Sequence, residues 1–379
     1  MTYANSDRSV NIIDTTLRDG AQSADIALSL SSKLRIVSLL SEIGIRIFEA
    51  GIPAMGQDEQ SDIKGLIRLF PDCTFIPWCR AKQADIEAAR MCGCSSVHIS
   101  FPISPAHMKI YKFSEQEIID RLAFYCQLSS RYFRSISIGA QDASRASPEF
   151  LDMFVKTASE CGASQVRIAD TVGILSPATT HSMINRLMLI NPACLIDFHG
   201  HNDFGMATAN TLTALEAGAS YASVTVNGTG ERAGNAPLEE VVMAVKYMTQ
   251  LKIEISLNSL TFVCSEIAKI MHQTIHPSKP ISGSNLFRHE AGIHCHGLLS
   301  DKSAYEPYNP AVTGHSSSEF VSGTHSGRTG VLSMLNSKGI DPTQEQLTDF
   351  MQKIRSSALK KGKSLDIDDT CKLFCNNFV

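Results

Sequence analysis

The feature that most constrains this chain is a regular alternation of short β-branched apolar runs with longer helical patterns, sustained from about residue 10 to about residue 250. The strand candidates are Val10–Leu17, Ile45–Gly51, Thr74–Cys79, Ser96–Phe101, Ser135–Gly139, Gln165–Ala169, Cys194–His199 and Tyr221–Asn227. Between and after them lie the helical patterns Ser31–Ile43, Gln57–Phe70, Gln83–Met91, Ser114–Tyr132, Pro148–Cys161, Pro177–Ile190, Met206–Ala217 and Pro237–Gln250. Ser147-Pro148 and Ser176-Pro177 are helix-start signals, and Gly44, Gly162 and Gly218 are helix-stop signals. Eight consecutive strand–helix units within about 250 residues are what a closed parallel (β/α)8 TIM barrel requires. A doubly wound open sheet is the competitor, because local patterning does not reveal closure. After Leu251 the alternation stops, and Gly, Ser, Pro and His become frequent between Ile275 and Gly330. A final helical pattern, Pro342–Lys360, leads to a short tail carrying Asp366–Asp369. The expected organisation is an α/β catalytic barrel over residues 1–255 and a C-terminal linker with a mainly helical extension over 256–379.

Composition narrows the class. The 379 residues carry 34 Lys+Arg against 38 Asp+Glu, a formal net charge of −4, which supplies no electrostatic basis for a nucleic-acid partner or an acidic membrane. The apolar runs are too short for a span of about 20 residues, and MTYANSDRSVNIIDTTLRDG at the start has neither the basic opening nor the apolar core of a secretory signal. Eleven cysteines at irregular spacings fit reduced thiols better than a disulfide framework. The chain reads as soluble and cytoplasmic.

The sharpest chemical signal is Asp197-Phe198-His199-Gly200-His201-Asn202-Asp203 at the end of the seventh strand. Residues i and i+2 of a strand face the same way, so His199 and His201 converge at the mouth where barrel active sites lie, as a divalent-metal pair or, more plainly, as a strand-end cap. The end of the first strand, Asp14-Thr15-Thr16-Leu17-Arg18-Asp19-Gly20, reaches the same mouth in a barrel, where Asp19 can supply an oxygen ligand and Arg18 a fixed cation. Otherwise Arg18 and Asp19 are a surface ion pair. Asn227–Ala236 follows the eighth strand, and its glycines can cradle phosphate or deliver Asn235 as a metal or water ligand. Glu49, Asp170 and Thr171 also fall at strand ends, as loop hydrogen-bonders or substrate contacts. His289-Glu290 to His294 spaces its histidines five apart rather than four, which disfavours a helical zinc-protease motif, and Cys92 and Cys94 lack a second pair at finger spacing.

Taken together, DTTLRDG at Asp14–Gly20, HxHND at His199–Asp203 and NGTGERAGNA at Asn227–Ala236 resemble the metal-dependent Claisen-condensing enzymes, a family that includes isopropylmalate, citramalate and homocitrate synthases and related acyl-CoA lyases. The similarity extends through Gly51–Gly56, Asp142–Ser147, Ala169–Gly173, Phe204–Leu212, His289–His294 and Gly323–Arg328, and is greatest toward the short homocitrate synthases of nitrogenase-cofactor assembly. The resemblance implies a divalent cation (Mg, Mn or Zn) held by Asp19, His199 and His201 with Asn235 as a further ligand, and acetyl-CoA and a 2-oxo acid as substrates. It also implies Arg18 as oxyanion stabiliser, and Gln22, Glu49 and Thr171 at substrate-side positions. A homodimer is implied as well, in which His294 and Tyr305 come from the partner subunit.

Two positions depart from the family pattern. Ala21 and Gln141 stand where the family usually has glutamates, and Gln141 can exchange hydrogen bonds but cannot take up a proton. The first expectation is condensation of acetyl-CoA with 2-oxoglutarate, with Gln141 placed in the catalytic set by position. The alternatives are another acceptor, such as 3-phosphonopyruvate or 2-oxoisovalerate, an acyl-CoA lyase, or a catalytically silent ligand-binding homologue.

Overall fold

The computed structural model describes residues 8–378. They form two compact units, one comprising residues up to Ser256 together with Phe262–Thr274, the other Leu257–Thr261 and the residues from Ile275 onward.

The first unit is a closed barrel whose strands β1 (Asn11–Asp14), β2 (Ile47–Gly51), β3 (Thr74–Arg80), β4 (Ser96–Pro102), β5 (Ser135–Gln141), β6 (Gln165–Asp170), β7 (Ile196–Gly200) and β8 (Tyr221–Val224) pair in sequence order. Every pairing is parallel, and β1 closes on β8 through Asn11↔Tyr221 to Asp14↔Val224. The open-sheet alternative is thereby excluded. The connecting helices are α1 (Leu30–Glu42), α2 (Gln57–Leu69), α3 (Gln83–Met91), α4 (Pro105–Tyr111), α5 (Glu115–Ser129), α6 (Pro148–Glu160), α7 (Pro177–Ile190), α8 (Ala207–Glu216) and α9 (Leu238–Met248), followed by α10 (Leu260–Ile270).

Local chemistry starts these helices where the chain leaves the barrel mouth. Ser147 and Ser176 accept from the amides of Phe150 and Thr179 with Pro at the next position, and Ser114 forms a full capping box with Glu117. Each such cap satisfies an amide that would otherwise lack a partner. Between strands and helices the core is apolar and aromatic, with Phe48 stacked on Phe75 at 5.6 Å and Phe101 edge-on to Phe154 at 5.8 Å. Within the barrel it is polar: Glu49 on β2 pairs with Arg167 on β6, and strands so far apart in the sheet order meet only through the interior. The barrel differs from the sequence reading at element ends. β1 stops at Asp14 because Thr15 starts a turn, β8 stops at Val224, and α4 is an extra short helix capped by Ser104 ahead of α5.

The second unit contains the parallel pair β9 (Arg288–His289) and β10 (Glu319–Phe320), and helices α11 (Gly292–Ser300), α12 (Arg328–Asn336), α13 (Gln344–Lys361) and α14 (Ile367–Phe378). The tail expected after Lys360 is in fact α14. Its polar composition masks a narrow apolar stripe, Cys371, Phe374 and Phe378, spaced to lie on one helix face. That stripe joins Val331, Leu335, Leu347, Phe350, Met351 and Ile354 in a small core, with the Phe350 ring edge-on to Phe374 at 5.0 Å. Among the described residues no disulfide joins the cysteines, and no helix is long and apolar enough to cross a membrane.

Phe350 is fully buried at the centre of the α12–α14 core. Phe350→Ala should destabilise that core by about 3–5 kcal/mol, read as lost amide-exchange protection across residues 328–378. Unchanged protection there would contradict the packing described.

Candidate active site

The site is assembled by three loops at the C-terminal ends of β1, β7 and β8. After β1, the carbonyl of Thr15 accepts from the amides of Arg18, Asp19 and Gly20 at 2.8–3.1 Å, folding the chain into a tight turn that projects Arg18 and Asp19 from adjacent positions. Thr16 anchors the turn from below: its Oγ1 donates to Asp14 Oδ2 at 2.8 Å and accepts from the Val226 amide at 2.9 Å. The first and eighth strand ends are thus tied together.

His199 lies in β7 and His201 just past it, their rings 5.1 Å apart and nearly perpendicular. His201 bridges to Asn235, the residue toward which the glycines of the third loop are folded. Gly234 has φ +82°, and a side chain there would run into the carbonyl of Gly228; a Cβ at Gly230 would sit 2.3 Å from Asn235 Nδ2. These glycines therefore fold the loop onto itself and seat Asn235.

Asp19, His199 and His201 present one ligand atom each within 4.8 Å of one another, all buried. His199 Nε2 is 2.9 Å and His201 Nε2 4.0 Å from Asp19 Oδ2, yet that oxygen is buried without a hydrogen-bond donor. Asn235 Oδ1 is likewise buried and unpartnered, while its Nδ2 donates to the Thr229 carbonyl at 3.1 Å. Burial opposes ionisation of Asp19, but Arg18 and the two imidazoles hold its carboxyl well below the usual range. Burial and the neighbouring His199 push His201 down to about 4, so its imidazole is neutral with a free lone pair. Unpaired buried oxygens beside two imidazole nitrogens are a donor set that a divalent cation takes, and these residues fit one.

Arg18 is fixed from behind. Its Nε and Nη2 reach Glu49 Oε2 at 2.6 and 2.5 Å, and its Nη1 lies 3.4 Å from both Asp19 Oδ2 and Gln22 Oε1. The ion pairing continues inward, with Arg167 Nη1 on Glu49 Oε1 and Arg167 Nε on Asp197 Oδ2, both at 2.6 Å, and Ser223 donating to Asp197. Burial would raise the Glu49 carboxyl, but Arg167 and Arg18 more than reverse this and hold it at about 2.

A cavity of about 210 Å³ opens over this array. Arg18, Asp19, Gln22, Gln141, Thr171, His199 and His201 line it; Glu49 does not, being fully buried behind Arg18 and Arg167. Thr171 Oγ1 accepts from the Asp142 amide at 2.9 Å, so its hydroxyl is oriented by the residue that follows β5. His294 and Tyr305 belong to the second unit, where their rings stack with centroids 4.2 Å apart and Gly297 leaves the room Tyr305 needs. Sequence reading passed over Arg167, His98 and Trp78, which also line the cavity, because their relevance depends on which strands face each other across the barrel. A lysine or arginine inside an otherwise apolar strand, as in QVRIAD, is the signal that was there to find.

Comparison with known proteins identifies the family. The HMGL-like family matches residues 9–267, and the homocitrate synthase post-HMGL domain-like family matches residues 281–362. A homocitrate synthase from Frankia alni is 37% identical over 89% of this chain and 96% of its own length. A 2-isopropylmalate synthase from Caldanaerobacter subterraneus subsp. tengcongensis is 37% identical over 95% of this chain and 93% of its own. Among solved structures, the HMG-CoA lyase of Bacillus subtilis shares the barrel fold, with a TM-score of 0.65 at 21% identity over 73% of this chain and 97% of that one. The chain belongs to the HMGL-like family, in its acyl-transferring branch, with a homocitrate synthase post-HMGL segment following the barrel.

Proposed function

We propose that the protein condenses acetyl-CoA with a 2-oxo acid, 2-oxoglutarate first among the acceptors, to give homocitrate and CoA. The observation that carries this reading is the convergence of Asp19, His199 and His201 beside a tethered Arg18 at one cavity. Asp19, His199, His201 and Asn235 would hold a divalent cation, which supplies a Lewis acid for the carboxylate and 2-oxo group of the acceptor. Arg18 stabilises the alkoxide that develops on the 2-oxo oxygen, pre-positioned by Glu49 so that no reorganisation is needed as charge appears. Gln22 and Thr171 orient the acceptor from the rim.

Condensation needs a base for a methyl proton of acetyl-CoA. The resulting enolate attacks the 2-oxo carbon, forming the new carbon–carbon bond, and water then cleaves the thioester to release CoA. Gln141 occupies the cavity wall but holds no basic electron pair, so its part is to orient the thioester or acceptor. Proton transfer falls to His294, backed by Tyr305, both supplied by the partner subunit of a homodimer. Support for that assignment is the exposure of both rings on α11 and the segment following it.

Gln141 also favours a second reading, a ligand-binding homologue without turnover. Release of CoA thiol from acetyl-CoA with Mg²⁺ or Mn²⁺, measured across a panel of 2-oxo acids, separates the two. One preferred acid establishes the synthase; metal and acid binding without thiol release establishes the binder. Consumption of a 3-hydroxyacyl-CoA with release of acetyl-CoA would instead assign a lyase.

Three outcomes are expected. His199→Ala loses bound metal, by elemental analysis, and turnover together; an active variant would overturn the site. Arg18→Met lowers kcat on the order of 10²–10³-fold while metal content is retained. Gln141→Glu changes the rate on 2-oxoglutarate. A strong rise means the amide had weakened this chemistry, and a fall means it belongs to a different acceptor preference.

A further inference from the structure

One arginine at the rim is tied to the loops on both sides of it. Arg232, in the loop after β8, forks onto Asp203 in the loop after β7, with Nε 2.8 Å from Oδ1 and Nη2 3.0 Å from Oδ2. The same Nη2 donates to the Thr171 carbonyl, in the loop after β6, at 2.7 Å. The Arg232 backbone lies at φ +56°, in the left-handed region that favours glycine. A position that glycine would occupy without strain thus carries a long side chain whose planar fork matches a carboxylate.

These contacts close a ladder that begins at the candidate cation site. On its innermost rung His201 bridges Asn235, on the next the Asn202 amide donates to the Gly234 carbonyl at 2.9 Å, and Arg232 on Asp203 is the outermost. The loop after β6 is pressed against the same carboxylate: a Cβ on Gly173, at φ +64°, would lie 2.6 Å from Asp203 Oδ2 and 3.0 Å from the His201 carbonyl oxygen. Thr171 is therefore held at both ends, its carbonyl by Arg232 and its hydroxyl oxygen by the Asp142 amide at 2.9 Å. That leaves the hydroxyl proton for a partner in the cavity that Thr171 lines. Stability does not account for the arrangement, because the Arg232 and Asp203 side chains are 41% and 22% exposed and such ion pairs contribute little. A forked contact shared among three loops fixes geometry.

We propose that Arg232 and Asp203 are positioning residues, a latch that locks the loops after β6, β7 and β8 together and so sets both the direction of the Thr171 hydroxyl and the placement of His201 at the cation site. This rests on the condensation reading and deepens it, since Thr171 and the cation act on the acceptor there. Charge alone makes the opposite prediction. Arg232 lines the same cavity as Asp19, His199 and His201, so deleting its positive charge would by electrostatics tighten the hold on a cation, whereas opening the latch loosens it.

The test reads the two effects separately: Mn²⁺ binding by calorimetry without acceptor or acetyl-CoA, and the acceptor's KM and kcat for CoA release. Arg232→Gly removes the fork and suits the backbone, so the thermal midpoint should stay nearly unchanged. It should nevertheless weaken Mn²⁺ binding by on the order of tenfold and raise the acceptor's KM more than it lowers kcat. Arg232→Lys keeps the charge, but a single ammonium cannot fork onto Asp203 and also reach the Thr171 carbonyl, so it should resemble the glycine variant rather than the wild-type protein. When Arg232→Gly and Asp203→Asn are combined the losses should not add, because either substitution opens the same latch. Mn²⁺ binding in Arg232→Gly as tight as in the wild-type protein or tighter, an unchanged KM, or fully additive losses each overturn the inference and leave the condensation reading intact. Absence of CoA release by the wild-type protein with every 2-oxo acid fails the condensation reading instead, and the Mn²⁺ titrations of the single and combined variants then decide the latch alone.

Discussion

Everything at the barrel mouth depends on one buried relay of charge, Arg18 to Glu49 to Arg167 to Asp197, running from the rim into the interior. Two cations and two anions alternate, so the array is neutral in itself. Such pairs gain little net stability, because removing charges from water costs about what their mutual attraction returns. What they provide is position. A guanidinium held by two short contacts to a carboxylate that is itself clamped by a second guanidinium cannot swing toward solvent. The polar interior also explains why the apolar core lies outside the strands, between sheet and helices.

The fold was largely legible because it is written in local periodicity. Strand–helix alternation over eight units, Ser-Pro helix starts and glycine stops are each readable within a dozen residues, and all eight strands form where the apolar runs fall. Closure was not local: it is the pairing of Asn11 with Tyr221, across about 210 residues, that excludes an open sheet. The last helix escaped notice because α14 exposes most of its surface and packs through a stripe too narrow to stand out against Asp366, Asp368, Asp369 and Lys372.

The same distinction governs the site. Asp19 and the HxH pair announced themselves through spacing, since i, i+2 on a strand and a turn at a strand end have predictable directions. Arg167 and His98 gave no such signal, as the groups that give them meaning sit on β2, β5 and β7. The glycines of Asn227–Ala236 carried an ambiguous one, because a loop that cradles phosphate and a loop folded tightly on itself require the same residue. In the structure Gly234 stands against the Gly228 carbonyl and Gly230 against Asn235, close approaches that only glycine permits.

The double engagement of Arg167 has an evolutionary corollary. Arg167 lines the cavity and also neutralises two carboxylates that have no access to water, so replacing it leaves Glu49 with Arg18 alone and Asp197 with only the Ser223 hydroxyl. Substitutions that share partners in this way are strongly non-additive. A descendant of this chain that lost the arginine would need compensating changes on β2 and β7, which closes most single-step mutational routes through position 167. Divergence among relatives should therefore show this position changing in concert with 49 and 197.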